Sequence, residues 1–93
     1  MSTALVPKFP LGRLVATPNA LERITAADIR SAILRHQSGD WGEVCAEDRQ
    51  QNDEALQNGS RLLSSYRSAE GVTFWIITER DRSATTVLMP EDY

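Results

Sequence analysis

The sequence holds one cysteine and one histidine, and aromatic residues make up only 6% of its 93 positions. A lone Cys45 cannot close an intramolecular disulfide, and Cys45 with His36 falls short of the four ligands of a structural zinc site. No phosphate-binding loop, dinucleotide fingerprint, HExxH pair or nucleophile elbow is written in the chain. The expectation is therefore a fold held by its own core, with no resident metal or cofactor. No apolar run approaches the roughly 18 residues of a membrane span. Met1 to Phe9 lacks the apolar stretch and small-residue cleavage site of a secretory signal. The expected location is the cytoplasm, with no membrane partner. Positive charge is also scarce: 10 Lys and Arg stand against 13 Asp and Glu, a net charge of −3. That balance argues against a general polyanion binder.

What is present suits one small globular domain, at 41% hydrophobic and 25% charged residues. Residues 1–10, with Pro7 and Pro10, read as an extended N-terminal arm, and 11–93 as a single α+β domain. Leu11 to Ala16 is a short strand with Leu14 and Val15 on opposite faces. Thr17-Pro18 reads as an N-cap followed by proline at the first helical position, opening a short helix that ends near Ile24. Thr25-Ala-Ala-Asp28 repeats a capping pattern, and Ile29, Ala32, Ile33 and His36 then form one helical stripe. Gly39 terminates that helix, and Asp40-Trp41-Gly42 follows as a tight loop. A third helix is expected from about Glu43 to Asn58, stopped by Gly59. Its inward stripe is thin and carries Cys45, read as a small buried hydrophobe, and Asn52. Period-two runs at 60–67, 72–79 and 84–89 predict a three-stranded antiparallel meander, with Val72 to Thr78 as its central strand. Pro90 ends the last of them. The expected architecture is a short N-terminal strand, two to three helices, then the meander, with the helices on one face of the sheet.

Candidate chemistry gathers at a few points. His36 is the only imidazole, a general acid or base by type or else a core or capping histidine. Asp40 stands near enough in sequence to orient it and raise its pKa, or to cap the third helix. Trp41, between Asp40 and Gly42, is either a lid over the helices or a binding anchor. Asn52 on an inward face must find partners, at the Asp40–Gly42 loop or at a strand edge. Arg80 and Arg82 crowd a hairpin tip where they would either be solvated or grip an anion. Arg61, Tyr66 and Arg67 would join them only if they share a sheet face. From Asp40 to Glu54 run six acids and one Arg. This stretch is the solvated side of a helix, or a surface that mimics or repels nucleic acid.

Phe9-Pro-Leu-Gly12, Ala16-Thr-Pro18, His36 with Ser38-Gly-Asp-Trp-Gly42, Asp48 with Asn52, and Trp75-Ile-Ile-Thr-Glu79 followed by Asp81-Arg-Ser83 and Thr85-Thr86 together resemble a family of small bacterial plasmid-related proteins. These are carried on mobile elements. The resemblance runs from Phe9 to Tyr93. It implies a bacterial, mobile-element-linked accessory protein and assigns no catalytic residue. Size, acidity and the missing catalytic signatures favour a non-enzymatic module that binds another protein. The alternative is a small metal-independent ribonuclease of barnase-like or RelE-like architecture. In it His36 would act as acid or base, Arg61 and Arg82 would stabilise phosphate, and Tyr66 would position it.

Overall fold

The computed structural model describes residues 7–93, so most of the expected N-terminal arm lies outside the described residues. The first strand, β1 (Arg13–Ala16), leads into α1 (Pro18–Arg23), α2 (Ala26–Gln37) and α3 (Ala46–Asn58). The strands β2 (Leu62–Arg67), β3 (Thr73–Thr78) and β4 (Ala84–Leu88) follow, and a 3-10 turn at Pro90–Asp92 ends the chain. The architecture is α+β, with helices on one face of a four-stranded sheet.

Local chemistry sets most boundaries. The Thr17 hydroxyl accepts from the Ala20 N–H at 3.2 Å, with Pro18 at the first helical position. The Thr25 hydroxyl does the same for the Asp28 N–H at 3.2 Å. The Asp28 carboxylate turns elsewhere: it accepts from the Ala69 N–H at 3.0 Å and so ties α2 to the β2–β3 loop. Gly59 ends α3 in the left-handed conformation.

The start of α3 differs from expectation. The helix begins at Ala46, and Cys45 occupies the N-cap position with no side-chain cap. Asp40 does not cap it. Residues 41–43 are instead drawn out along the free edge of β2. There the Ser65 N–H donates to the Trp41 carbonyl at 3.1 Å, and the Glu43 N–H to the Ser65 carbonyl at 2.7 Å. These backbone bonds outweigh an earlier helical turn. They also leave Cys45 exposed, contrary to its expected burial.

The sheet order is β1-β4-β3-β2. The meander is antiparallel as expected, with Ser64 opposite Ile76 and Ile76 opposite Val87. β1 adds in parallel beside β4, with Leu14 opposite Thr85. The interior position is therefore shared by β3 and β4. Leu62, Ser64 and Tyr66, Phe74, Ile76 and Thr78, and Thr85 and Val87 alternate onto the helix side and are all buried. Two apolar clusters result. One lies under α1 and α2, where Ala20, Ile24 and Ala32 meet Phe74, Ile76 and Val87. The other joins Phe9, Trp41, Ala55 and Leu62. Phe9, in the segment read as an arm, is thus a core residue, and the Lys8 N–H donates to the Gln37 carbonyl at 2.8 Å. On the opposite side of the sheet, the Tyr93 ring meets Trp75 edge-on with centroids 5.8 Å apart.

Gly42 carries the edge docking. Its φ is +74°, and an added Cβ would stand 2.1 Å from the Ser65 carbonyl oxygen and 2.7 Å from the Tyr66 ring. Gly59 has a similar φ of +78° but open space around it. Gly59→Ala should cost about 1–2 kcal/mol, the conformational penalty alone. Gly42→Ala should cost at least about 2 kcal/mol more, as the clash forces residues 41–43 off the β2 edge. Urea unfolding midpoints of the two variants measure the difference.

Candidate functional site

His36 closes the last turn of α2 and is fully buried, between the two apolar clusters. The Phe9 ring packs edge-on at 5.3 Å and the Trp41 ring at 5.6 Å, centroid to centroid. Its nitrogens meet hydroxyls from the sheet: Nδ1 lies 2.6 Å from Ser64 Oγ and Nε2 lies 2.8 Å from Thr78 Oγ1. Thr78 Oγ1 is 2.8 Å from Thr85 Oγ1, which donates to the Leu11 carbonyl at 2.7 Å.

The end of this run fixes the protons as far as His36 Nε2. The Thr85 hydroxyl spends its hydrogen on Leu11, so its oxygen accepts from Thr78. Thr78 has then used its hydrogen and must accept from His36 Nε2–H. In the neutral ring, Nδ1 is left as the acceptor for Ser64. The histidine is neutral, protonated on Nε2, with both nitrogens satisfied. Burial, with the Arg82 charge adding to it, pushes its pKa down to about 4. The expected orienting carboxylate is not there, because Asp40 bonds elsewhere, and the pKa moves opposite to the direction a carboxylate would give.

Asp40 instead pairs with Arg35 at 2.8 Å and accepts from the Gly42 N–H at 3.2 Å. The Arg35 guanidinium holds its carboxyl below the usual carboxylate range. The same guanidinium lies 4.8 Å over the Tyr66 ring. Tyr66 donates its hydroxyl to the Asp40 carbonyl at 2.6 Å, and burial pushes its pKa up. Trp41 is buried as a lid, stacked on Phe9, and its Nε1–H donates to Asp53 Oδ1 at 2.9 Å. Asn52 answers its own accounting problem at a strand edge. Its Nδ2 donates to the Leu63 carbonyl at 2.7 Å and its Oδ1 accepts from the Leu63 N–H at 3.2 Å. The side-chain amide does for β2 what another strand would.

The arginines do not converge on an anion site. Arg82, at φ 60°, donates to the Ser60 carbonyl at 2.7 Å and the Ala55 carbonyl at 2.9 Å, and so ties the hairpin to the C-terminal end of α3. Arg61 donates to the Tyr93 hydroxyl and lies over that ring. Arg67 pairs with Glu43 at 3.0 Å. Tyr66 points to the opposite sheet face from Arg67. Arg80 is exposed at the tip. His36, Arg61, Tyr66 and Arg82 are not gathered around one accessible cleft.

The open surface lies elsewhere. A groove of about 420 Å³ is lined by Leu14, Leu21, Ile24, Ile29, Ile33 and Leu34, with Ala26 and Arg30 at its sides. Leu14, Leu21 and Leu34 are 54%, 62% and 49% exposed. The sequence carried a signal for this: Leu34 falls outside the inward stripe of α2, and Leu21 is an apolar residue in a helix of only six residues. Neither was singled out by periodicity.

The buried imidazole gives a direct pH expectation. An unfolded chain carries His36 at the ordinary 6.5, the folded one at about 4. Between those values the unfolded state binds more protons. The stabilisation is complete above 6.5 and is lost as pH falls toward 4, by about 3 kcal/mol in all. With one histidine in the chain, its ring NMR signals are unambiguous. They should show the Nε2–H tautomer at neutral pH and no titration near 6.5. A midpoint near 6.5 would mean that the ring reaches water. No family model, curated protein or solved structure matches the chain.

Proposed function

We propose that the chain is a non-enzymatic protein-binding module whose contact surface is the face built by β1, α1 and α2. The observation that carries this reading is the distribution of exposed apolar side chains. Among the described residues, five large hydrophobics are open to solvent: Leu14, Leu21 and Leu34 share one groove, Val15 lies beside Leu14 on the other face of β1, and Tyr93 lies elsewhere. An apolar patch of this kind, bordered by polar surface, is the common mark of a protein contact. Among the described residues, Arg30 is the one charge lining the groove, which suits an apolar occupant. The ribonuclease alternative draws no support from the geometry, since its acid or base would be a sealed, neutral imidazole. The motif resemblance supports a bacterial, cytoplasmic, mobile-element-linked setting for this module.

Leu21→Glu and Leu34→Glu alter exposed side chains and should leave the fold intact, as circular dichroism would register. Each should lower recovery of a bound protein in quantitative pull-downs by at least tenfold. Glu47→Lys, on the exposed side of α3, should not. Recovery that is indifferent to both leucines removes the proposed surface. Expression should leave growth and cellular RNA intact, whereas RNA cleavage lost in His36→Ala would favour the ribonuclease.

A further inference from the structure

The two edges of the sheet are treated differently. At β2, the Asn52 amide occupies both backbone groups of Leu63, and residues 41–43 occupy those of Ser65. At β1 nothing comparable is in place among the described residues. The Arg13 N–H donates to the Ser83 carbonyl at 2.9 Å and the Thr17 N–H to the Val87 carbonyl at 3.0 Å. These bonds set the phase of the parallel ladder: Arg13, Val15 and Thr17 turn their backbone groups toward β4. Leu14 and Ala16 therefore turn theirs outward. Natural sheets usually blunt such an edge with lysine, proline or a bulge; this one presents Arg-Leu-Val-Ala.

The side chains narrow the kind of occupant. Leu14 and Val15 point to opposite faces of the sheet, yet both are more than 40% exposed, at 54% and 41%. A helix laid in the groove would cover Leu14, Leu21 and Leu34 and leave Val15 in water. A strand added to the edge continues the sheet and reaches both faces.

Building on the proposed protein-binding surface, we infer that its occupant is a second copy of this chain, joined by antiparallel pairing of β1 with β1 across a two-fold axis at Val15. In that register the Leu14 N–H and carbonyl meet the carbonyl and N–H of the partner's Ala16, and the reverse holds across the axis. Val15 packs on the partner's Val15 on the outer face. The leucine-lined grooves of the two copies meet on the helix face. Charge agrees as well. Arg13, which forms no ion pair among the described residues, lies opposite the partner's Thr17. The hydroxyl of Thr17 donates to Asp92 at 2.6 Å within its own chain, while Glu91 on the same turn is paired with Arg23 at 2.7 Å, so Asp92 is the carboxylate of that turn without an ion pair among the described residues. Each Arg13 thus faces the Asp92 turn, twice per dimer, and does not face its own copy. An isologous contact of this kind closes on itself and gives one eight-stranded sheet.

Sedimentation of the full chain from micromolar to millimolar concentration tests this. The expected result is a reversible monomer–dimer equilibrium that weakens with added salt. Val15→Lys and Arg13→Glu, both at exposed positions, should each raise the dimer dissociation constant at least tenfold, and Glu47→Lys should leave it unchanged. A measurement on the unaltered chain guards against misfolding of a variant: amide exchange at Leu14 and Ala16 should slow as concentration rises, while that at Leu63 and Ser65 stays constant. A monomer at all concentrations overturns the inference, as does a dimer indifferent to Val15→Lys and Arg13→Glu whose Leu14 and Ala16 amides stay unprotected. The broader reading fails separately, when capture of other proteins and self-association are both insensitive to Leu21→Glu and Leu34→Glu.

Discussion

The run of hydrogen bonds from Ser64 through His36, Thr78 and Thr85 to the Leu11 carbonyl is the constraint on which the structure turns. It crosses β2, α2, β3 and β4 and ends on the segment that leads into β1. In a low-dielectric interior each of these groups is costly if unpaired, at roughly 1–3 kcal/mol apiece. A shift of α2 by one turn, or of either hairpin by one residue, would strand several at once. The network therefore specifies register more than it adds stability. It also explains why a small domain tolerates a histidine among Phe9 and Trp41: every donor in the run has an acceptor, and burial keeps the ring in the neutral Nε2–H tautomer.

The same accounting governs the sheet margins. β2 would be an exposed edge under α3, but Asn52 and residues 41–43 take its backbone groups, and Trp41 seals the junction by stacking on Phe9 and bonding Asp53. Gly42 is required there because residues 41–43 must come within bonding range of Ser65. β1 has no such cover among the described residues, although its neighbours α1 and α2 supply apolar side chains around it. The molecule closes one edge with a polar side chain and leaves the other flanked by leucine. That asymmetry is a better guide to function than any titratable residue.

Features that depend on sequence neighbours were legible from the chain. The Thr17 and Thr25 caps, the Gly59 stop, the antiparallel meander and the α+β order all follow from local geometry, and all are present. Asn52 was legible as a polar residue facing inward, with a strand edge among its expected partners. What could not be read was set by distant parts of the chain. The extended path of residues 41–43 follows from Ser65, more than twenty residues on in the sequence. That path moves the start of α3 to Ala46 and exposes Cys45. The partners of His36, Ser64 and Thr78, lie 28 and 42 residues away, whereas Asp40, four positions off, was the nearer candidate and is held by Arg35. Sequence proximity favours the wrong carboxylate because a helix end and the loop after it diverge within a few residues.

The residue types that attract attention in a sequence, histidine, arginine, tyrosine and asparagine, are here mostly spent on satisfying the backbone. Arg82 binds carbonyls, Tyr66 binds the Asp40 carbonyl, and Asn52 replaces a strand. A core of this size has too few apolar residues to close every edge and loop by packing alone, so polar side chains do that work inside. Leucines left outside are then the more informative anomaly, because nothing in the fold needs them there. Burying a fully exposed leucine is worth roughly 1.5–3 kcal/mol; Leu14, Leu21 and Leu34 are about half exposed, so they offset only part of the cost of association, and in the proposed dimer the unpaired edge of β1 supplies the rest. The complementary strand of the proposed dimer is a second β1, with Arg13 at one end and the Thr17–Asp92 pair at the other.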